Sequence, residues 1–121
     1  MKEEGRPGPM PQSDLYVLLA LCEGPLYGYA LKKEVARVSR GAVAPEVGSL
    51  YRILGRLMTR GFVEETESPE EEAQTHPGKK RKYYRVTPHG EGAARFEASR
   101  LRDLVALAMA RNILPDGGGT R

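Results

Sequence analysis

The segment from residue 47 to residue 60 constrains the fold most, because its apolar residues recur with helical spacing. They occupy positions i, i+3, i+4, i+7 and i+8 of one stripe, namely Leu50, Ile53, Leu54, Leu57 and Met58. A stripe of this width predicts an amphipathic helix whose apolar face must pack against other elements. Gly61 follows directly and is a favourable residue for ending a helix.

Two shorter helices are predicted before this segment. The first spans residues 14–22, with Ser13 as its N-cap and the Gly24–Pro25 pair as its stop signal. It is almost wholly apolar, so we expect it to be covered on most sides. The second runs from Tyr27 towards Ser39 with one apolar stripe. Three short helices within about 50 residues predict a helix-turn-helix arrangement.

Two strand-like segments follow the third helix. Residues 62–66 and 81–86 are enriched in aromatic and β-branched residues, and a long polar connection separates them. They predict an antiparallel hairpin. Because side chains alternate along a strand, we expect one of Tyr83 and Tyr84 to point inward and the other outward. The predicted fold class is mainly α with a small β-hairpin, a winged helix-turn-helix in which this hairpin is the wing.

A last helix is predicted over residues 89–112, with Pro88 near its start and Pro115 and three glycines beyond its end. The stretch 104–110 is apolar on every side and must be buried. The simplest cover is the same helix of a second copy, related by two-fold symmetry. We therefore expect a homodimer formed through this dimerisation helix, with contacts from Leu101, Leu104, Val105 and Ala108.

Two cationic groups are suited to a polyanionic partner. The polar face of the third helix carries Ser49, Arg52, Arg56, Thr59 and Arg60. Arginine suits both guanine edges and phosphates, and Gly55 between the two inner arginines serves either close approach of a backbone or packing. The wing segment GKKRKYYR, residues 78–85, supplies the consecutive cations Lys79, Lys80, Arg81 and Lys82. These fit phosphate contacts, although a solvated surface is the alternative for both groups.

The other polar residues form no pattern typical of catalysis or of a metal site. A single cysteine, Cys22, allows no internal disulfide and no multi-cysteine zinc site. His76 and His89 have no second ligand at helical or turn spacing, and no nucleophile has a neighbouring base. No apolar run approaches the roughly 20 residues that span a bilayer. We therefore expect a cytoplasmic protein that is not an enzyme and uses no metal, cofactor or membrane.

Three segments in sequence order resemble the PadR family of transcriptional regulators, in particular its short members with one C-terminal helix. The family's first helix, glycine-proline turn and aromatic-Gly-Tyr start of the second helix resemble LLALCEGPLYGYAL at residues 18–31. Its recognition helix is similar to GSLYRILGRLMTRGFVE at residues 48–64. Its wing and the Thr-Pro entry to its last helix are similar to GKKRKYYRVTPHG at residues 78–90.

The resemblance implies a dimeric repressor whose recognition helices enter successive major grooves of double-stranded DNA. It places near the DNA Tyr29, Ser49, Tyr51, Arg52 and Arg56, and in the wing Lys80 and Lys82. Arg52 stands where the family often has proline, and Met58 where it commonly has glutamate, so the base preference does not carry over. Short members also bind planar aromatic compounds between subunits, commonly through a tryptophan. This chain has no tryptophan, so a small-molecule effector at the dimer interface is implied without a named residue.

The chain is expected to have four parts: a disordered N-terminal arm at 1–12, a winged-helix DNA-binding domain at 13–87, the C-terminal dimerisation helix at 88–114 and a flexible tail at 115–121. The expected function is binding of a pseudo-palindromic operator, with helix 47–60 in the major groove and residues 78–85 on phosphates. Two alternatives stay open. One is a protein-interaction module that uses the acidic stretch 64–72, and the other is a ligand-binding module without a direct DNA function.

Overall fold

Helices and a small antiparallel sheet make up the part of the chain that the computed structural model describes, residues 8–68 and 81–115. In chain order the elements are α1 (Gln12–Leu21), β1 (Leu26–Tyr27), α2 (Gly28–Val38), α3 (Val47–Thr59), β2 (Val63–Thr66), β3 (Tyr83–Val86) and α4 (Pro88–Ala110). The predicted fold class is confirmed. The predictions for residues 1–7, for Lys79 and Lys80 and for residues 116–121 lie outside the described residues.

The start of α1 differs from the prediction. Ser13 lies inside the helix, and the N-cap is Pro11, whose carbonyl accepts the N–H of Asp14 at 3.0 Å. The prediction of Ser13 as the cap was therefore wrong, because its side chain bonds to the neighbouring Asp14 carboxylate and not to a free backbone N–H. The helix is buried along most of its length, but Leu19 is exposed.

The sheet contains one strand more than the predicted hairpin. Its order is β1-β3-β2, all antiparallel, and β1 pairs Leu26 with Tyr84 and Tyr27 with Tyr83. Both Tyr83 and Tyr84 are buried, so the expectation that one ring would point outward was wrong. The physical reason is that β3 is the central strand, and Tyr27 of the additional strand packs against the ring of Tyr83.

The end of α3 follows the prediction. Gly61 has φ +78°, a conformation that glycine adopts without a Cβ penalty. The N–H of Gly61 donates to the carbonyl of Met58 at 3.0 Å, and the N–H of Phe62 donates to that of Leu57 at 2.9 Å. This pair of bonds is the Schellman motif, which satisfies the free carbonyls at a helix end. It turns the chain from α3 directly into β2.

The core lies between α1, the inner faces of α2 and α3, the sheet and the first half of α4. Its largest fully buried side chains are Val17, Leu18, Leu21, Leu31, Val35, Leu50, Leu54 and Leu57. The apolar stripe predicted for α3 thus faces inward, apart from Met58, which is half-buried. With one face of α3 fixed in this way, the opposite face is presented outward.

Thr87 joins the sheet to α4. Its hydroxyl donates to the Gly61 carbonyl at 2.6 Å and accepts the N–H of Gly90 at 3.0 Å, so it caps the helix and ties it to the end of α3. Pro88 occupies the start of the helix, as predicted. Over residues 8–68 and 81–115, none of the helices is both long enough and apolar enough to cross a membrane.

Candidate nucleic-acid interface

The outer face of α3 brings together the residues that the sequence assigned to DNA contact. Tyr51, Arg52 and Arg56 are exposed, and Ser49 is half-buried beside them. Arg52 and Arg56 are four residues apart and therefore lie on one side of the helix, one turn apart. Two cationic side chains thus project from a helix whose other face is anchored in the core.

Among the described residues, Arg52 contacts Ser49 on this face. Its Nη2 donates to the Ser49 Oγ at 3.1 Å, and the contact is exposed. Guanidinium carries five N–H donors in a planar fork, so most of them are available to an external acceptor. Arg52 is therefore suited to a phosphate or to the O6 and N7 atoms of a guanine.

Arg56 has a strong partner within the chain. Its Nη2 donates to Asp14 Oδ1 at 2.6 Å, and its Nε donates to Asp14 Oδ2 at 3.1 Å. The hydrogen bonds to the carboxylate raise the pKa of the Arg56 guanidinium, which stays cationic. The role of Asp14 could not be predicted from the sequence, because the two residues are 42 positions apart and no local pattern links them.

Tyr51 lies where α3, α2 and the sheet meet. Its hydroxyl occupies the place where a side chain at Gly28 would begin, so only glycine fits there without a shift of the ring. Its ring meets that of Tyr84 edge-on, with centroids 6.4 Å apart. Burial raises the pKa of the Tyr84 phenol. About half of Tyr51 remains exposed, and these contacts fix where that half is presented.

The two tyrosines at the start of α2 have different surroundings. Tyr29 is 61% exposed, and the Lys33 ammonium lies 5.4 Å from its ring centroid. Tyr27 instead packs against Tyr83, with centroids 5.6 Å apart, and the Arg81 guanidinium lies 4.4 Å from its ring centroid. Tyr29 is therefore accessible to a ligand, whereas Tyr27 belongs to the packing of the sheet.

Lys82 and Arg85 of the wing lie beside carboxylates. Lys82 Nζ is 3.7 Å from the Glu65 carboxylate, and Arg85 Nη2 is 2.6 Å from that of Glu64. All four side chains are substantially exposed, and exposed ion pairs contribute only about 0–1 kcal/mol. Breaking either pair therefore costs little, which leaves the cations able to change partner. The same pairing partly neutralises the described part of the acidic stretch 64–72.

Two further sequence features can be placed. A Cβ built on Gly55 would have no neighbouring atom within 4 Å among the described residues, so their packing does not require glycine at this position. Close approach of a partner backbone and a plain solvated helix face both stay predictions for Gly55. Across residues 8–68 and 81–115, no three His, Cys, Asp or Glu side chains lie together in a way that could hold a metal ion.

Comparison with known proteins places the chain in a family. Residues 17–95, well over half of the sequence, match the model of the transcriptional regulator PadR-like family. The chain belongs to this family. The PadR assignment made from the three sequence segments is thereby confirmed. No curated protein was found to match this PadR-like chain.

Solved PadR structures share the fold of this PadR-like chain. A PadR family regulator from hypervirulent Clostridium difficile R20291 is 21% identical with a TM-score of 0.66, over 86% of this chain and 100% of that one. A PadR family regulator from Eggerthella lenta DSM 2243 is 26% identical with a TM-score of 0.59, over 85% of this chain and 82% of that one. Bacillus subtilis PadR, solved in complex with operator DNA, is 20% identical with a TM-score of 0.58, over 72% of this chain and 46% of that one.

Proposed function

We propose that this PadR-like regulator is a homodimeric repressor that binds a pseudo-palindromic operator, with α3 in the major groove and the wing on phosphates. The observation that carries the proposal is the outer face of α3, where Arg52 and Arg56 stand on a helix anchored in the core. Tyr51 on this face remains accessible, as does Tyr29, which follows the Gly28 that the Tyr51 hydroxyl contacts. Membership of a transcriptional regulator family supports the same function.

The second half of α4 supports the dimer. Leu104, Val105 and Leu107 are each about half exposed, and Ile113 beyond the helix end is 78% exposed. An apolar surface of this kind on one helix is typical of a protein–protein contact. Leu101 packs partly against the chain's own core, and Ala108 is half-buried. In our proposal these two residues form the border of the interface, and Leu104 and Val105 lie at its centre.

Fluorescence anisotropy with a labelled duplex from the chain's own promoter region tests the DNA function. If the cations contact phosphates, binding should weaken steeply between low and moderate salt, by about 0.9 log units per log unit of salt for each phosphate. Arg52→Ala should weaken binding by about 1–3 kcal/mol if Arg52 contacts a base edge.

Arg37→Ala is the matched control for Arg52→Ala. Arg37 is an exposed arginine in the last turn of α2, at the far end of that helix from Tyr29, and it pairs with Glu34. Its loss removes the same charge away from the proposed interface, so binding should change little. Binding that hardly responds to salt, or equal losses from the two arginine variants, would contradict the proposed interface.

A further inference from the structure

The ion pair between Asp14 and Arg56 joins the first turn of α1 to the outer face of α3. The Asp14 side chain is 5% exposed, whereas that of Arg56 is 48% exposed. The Asp14 carboxylate also accepts a hydrogen bond from the Ser13 hydroxyl at 3.3 Å. The helix dipole favours a negative charge in the first turn of a helix. The carboxylate is therefore held on the buried side of the pair, and the guanidinium on the outer side.

The pair uses only one edge of the guanidinium. Asp14 accepts from Nε and from Nη2 of Arg56. Of the five N–H donors, both of those on Nη1 and one on Nη2 have no partner among residues 8–68 and 81–115, and one from each nitrogen forms the adjacent edge of the fork. Two parallel donors on one edge match a phosphate or the O6 and N7 atoms of a guanine. Arg56 can therefore hold Asp14 and a DNA acceptor at the same time.

We propose that Asp14 is a positioning residue for DNA recognition, which holds Arg56 so that its free guanidinium edge is presented to the operator. The inference rests on the proposed DNA-binding function and adds a specificity-determining role for a residue of α1. A long arginine side chain loses rotamer freedom when it binds a ligand. Because Asp14 already restricts Arg56 in the folded protein, less of that freedom is lost on DNA binding.

The test compares the wild-type chain with Asp14→Asn, Arg56→Ala and the double variant. Two duplexes serve as probes, one selected from a random library by the wild-type protein and one with the same composition in scrambled order. Asp14→Asn keeps the shape of the side chain and removes its charge. We expect it to weaken binding of the selected duplex about tenfold. Binding of the scrambled duplex should stay within about twofold, because non-specific binding does not depend on an oriented side chain.

The double variant separates positioning from a purely structural role. If Asp14 acts through Arg56, Asp14→Asn should cause no further loss in the Arg56→Ala background. An equal loss in both backgrounds would overturn the inference, as would an Asp14→Asn protein that binds the selected duplex as tightly as the wild type or more tightly. Arg56→Lys is the second variant to use if Asp14→Asn does not fold, since lysine keeps the positive charge but lacks the planar guanidinium donors.

Arg56→Lys should bind the selected duplex about tenfold more weakly and leave the scrambled duplex unaffected. Unchanged selectivity in Arg56→Lys would overturn the inference. If the wild-type protein selects no sequence from the library, the proposed function itself fails and the inference fails with it. If a sequence is selected and Asp14→Asn binds it normally, only the inference fails, whereas normal binding by Arg56→Ala would also remove Arg56 from the proposed interface.

Discussion

Gly90 and Gly92 lie two residues apart at the start of α4 but have very different surroundings. A Cβ on Gly90 would collide with the Phe62 carbonyl and lie 2.9 Å from Val86 Cγ2, whereas a Cβ on Gly92 would have no described atom within 4 Å. The Phe62 carbonyl also accepts the N–H of Thr87 at 2.9 Å. It cannot move aside without weakening that bond, so Gly90→Ala should push α4 away from the sheet.

The expected magnitudes follow from these surroundings. Overpacking against backbone costs roughly 3 kcal/mol, and alanine gains about 1 kcal/mol over glycine within a helix. Gly90→Ala should therefore lower the free energy of unfolding by about 2 kcal/mol. Gly92→Ala, which has open space, should raise it by up to about 1 kcal/mol. At about 4 °C per kcal/mol for a domain of this size, the melting temperatures of the two variants should differ by about 12 °C.

Thermal unfolding followed by circular dichroism measures this difference. Both variants are compared at one protein concentration, because the proposed dimerisation would stabilise the folded state by mass action. Gly92→Ala is the matched control, since it makes the same chemical change in the same helix. Equal melting temperatures for the two variants would show that contact between Gly90 and Phe62 does not set the position of α4.

Two further predictions concern α4. Leu104 is 54% exposed, so its burial in a symmetric dimer gains about 1 kcal/mol per protomer. Leu104→Ala should therefore weaken dimerisation about 30-fold, as measured by sedimentation equilibrium. Val38→Ala, at an exposed position on α2, is the control and should leave dimerisation unchanged. A wild-type chain that sediments as a monomer at micromolar concentration would contradict this. The hydrogen bonds from Arg100 lower the pKa of the Glu97 carboxyl, so the folded state binds fewer protons than the unfolded state. The stabilisation is complete above the unfolded-state pKa of about 4.3 and is lost as the pH falls through the lower folded-state pKa. In urea titrations at decreasing pH, the free energy of unfolding of Glu97→Gln should therefore fall less than that of the wild type. An equal fall in the two proteins would exclude this role of Glu97.

The fold could be predicted where the signal is local. The apolar period of α3, the glycine at its end and the Thr-Pro entry to α4 each involve residues within one or two helical turns, and the structure contains all three. Helix periodicity and capping depend on near neighbours in the chain, so a single sequence carries them. The cap of α1 was missed because Ser13 can bond equally to a neighbouring side chain, and here it bonds to Asp14.

In the candidate site, too, the local features were predicted and the contacts between separate helices were not. The sequence placed Arg52 and Arg56 on one face of a helix, because side chains four residues apart share a side. It could not distinguish them, although Arg52 contacts the nearby Ser49 and Arg56 is bound by Asp14 from another helix. The dimerisation contacts proposed for α4 depend on a second chain and stay a prediction.

The sequence alone determined the helices, the hairpin and the cationic face of α3, because each depends on the spacing of residues close together in the chain. The tertiary structure decided which residues distant in sequence become neighbours. It added β1 by pairing Tyr27 with Tyr83, and the Tyr27 ring covers the Tyr83 ring, so that both Tyr83 and Tyr84 are buried. It also set the buried Asp14 carboxylate behind the Arg56 guanidinium. Such pairs form only when packing brings separate elements together, and no pattern in either segment encodes them.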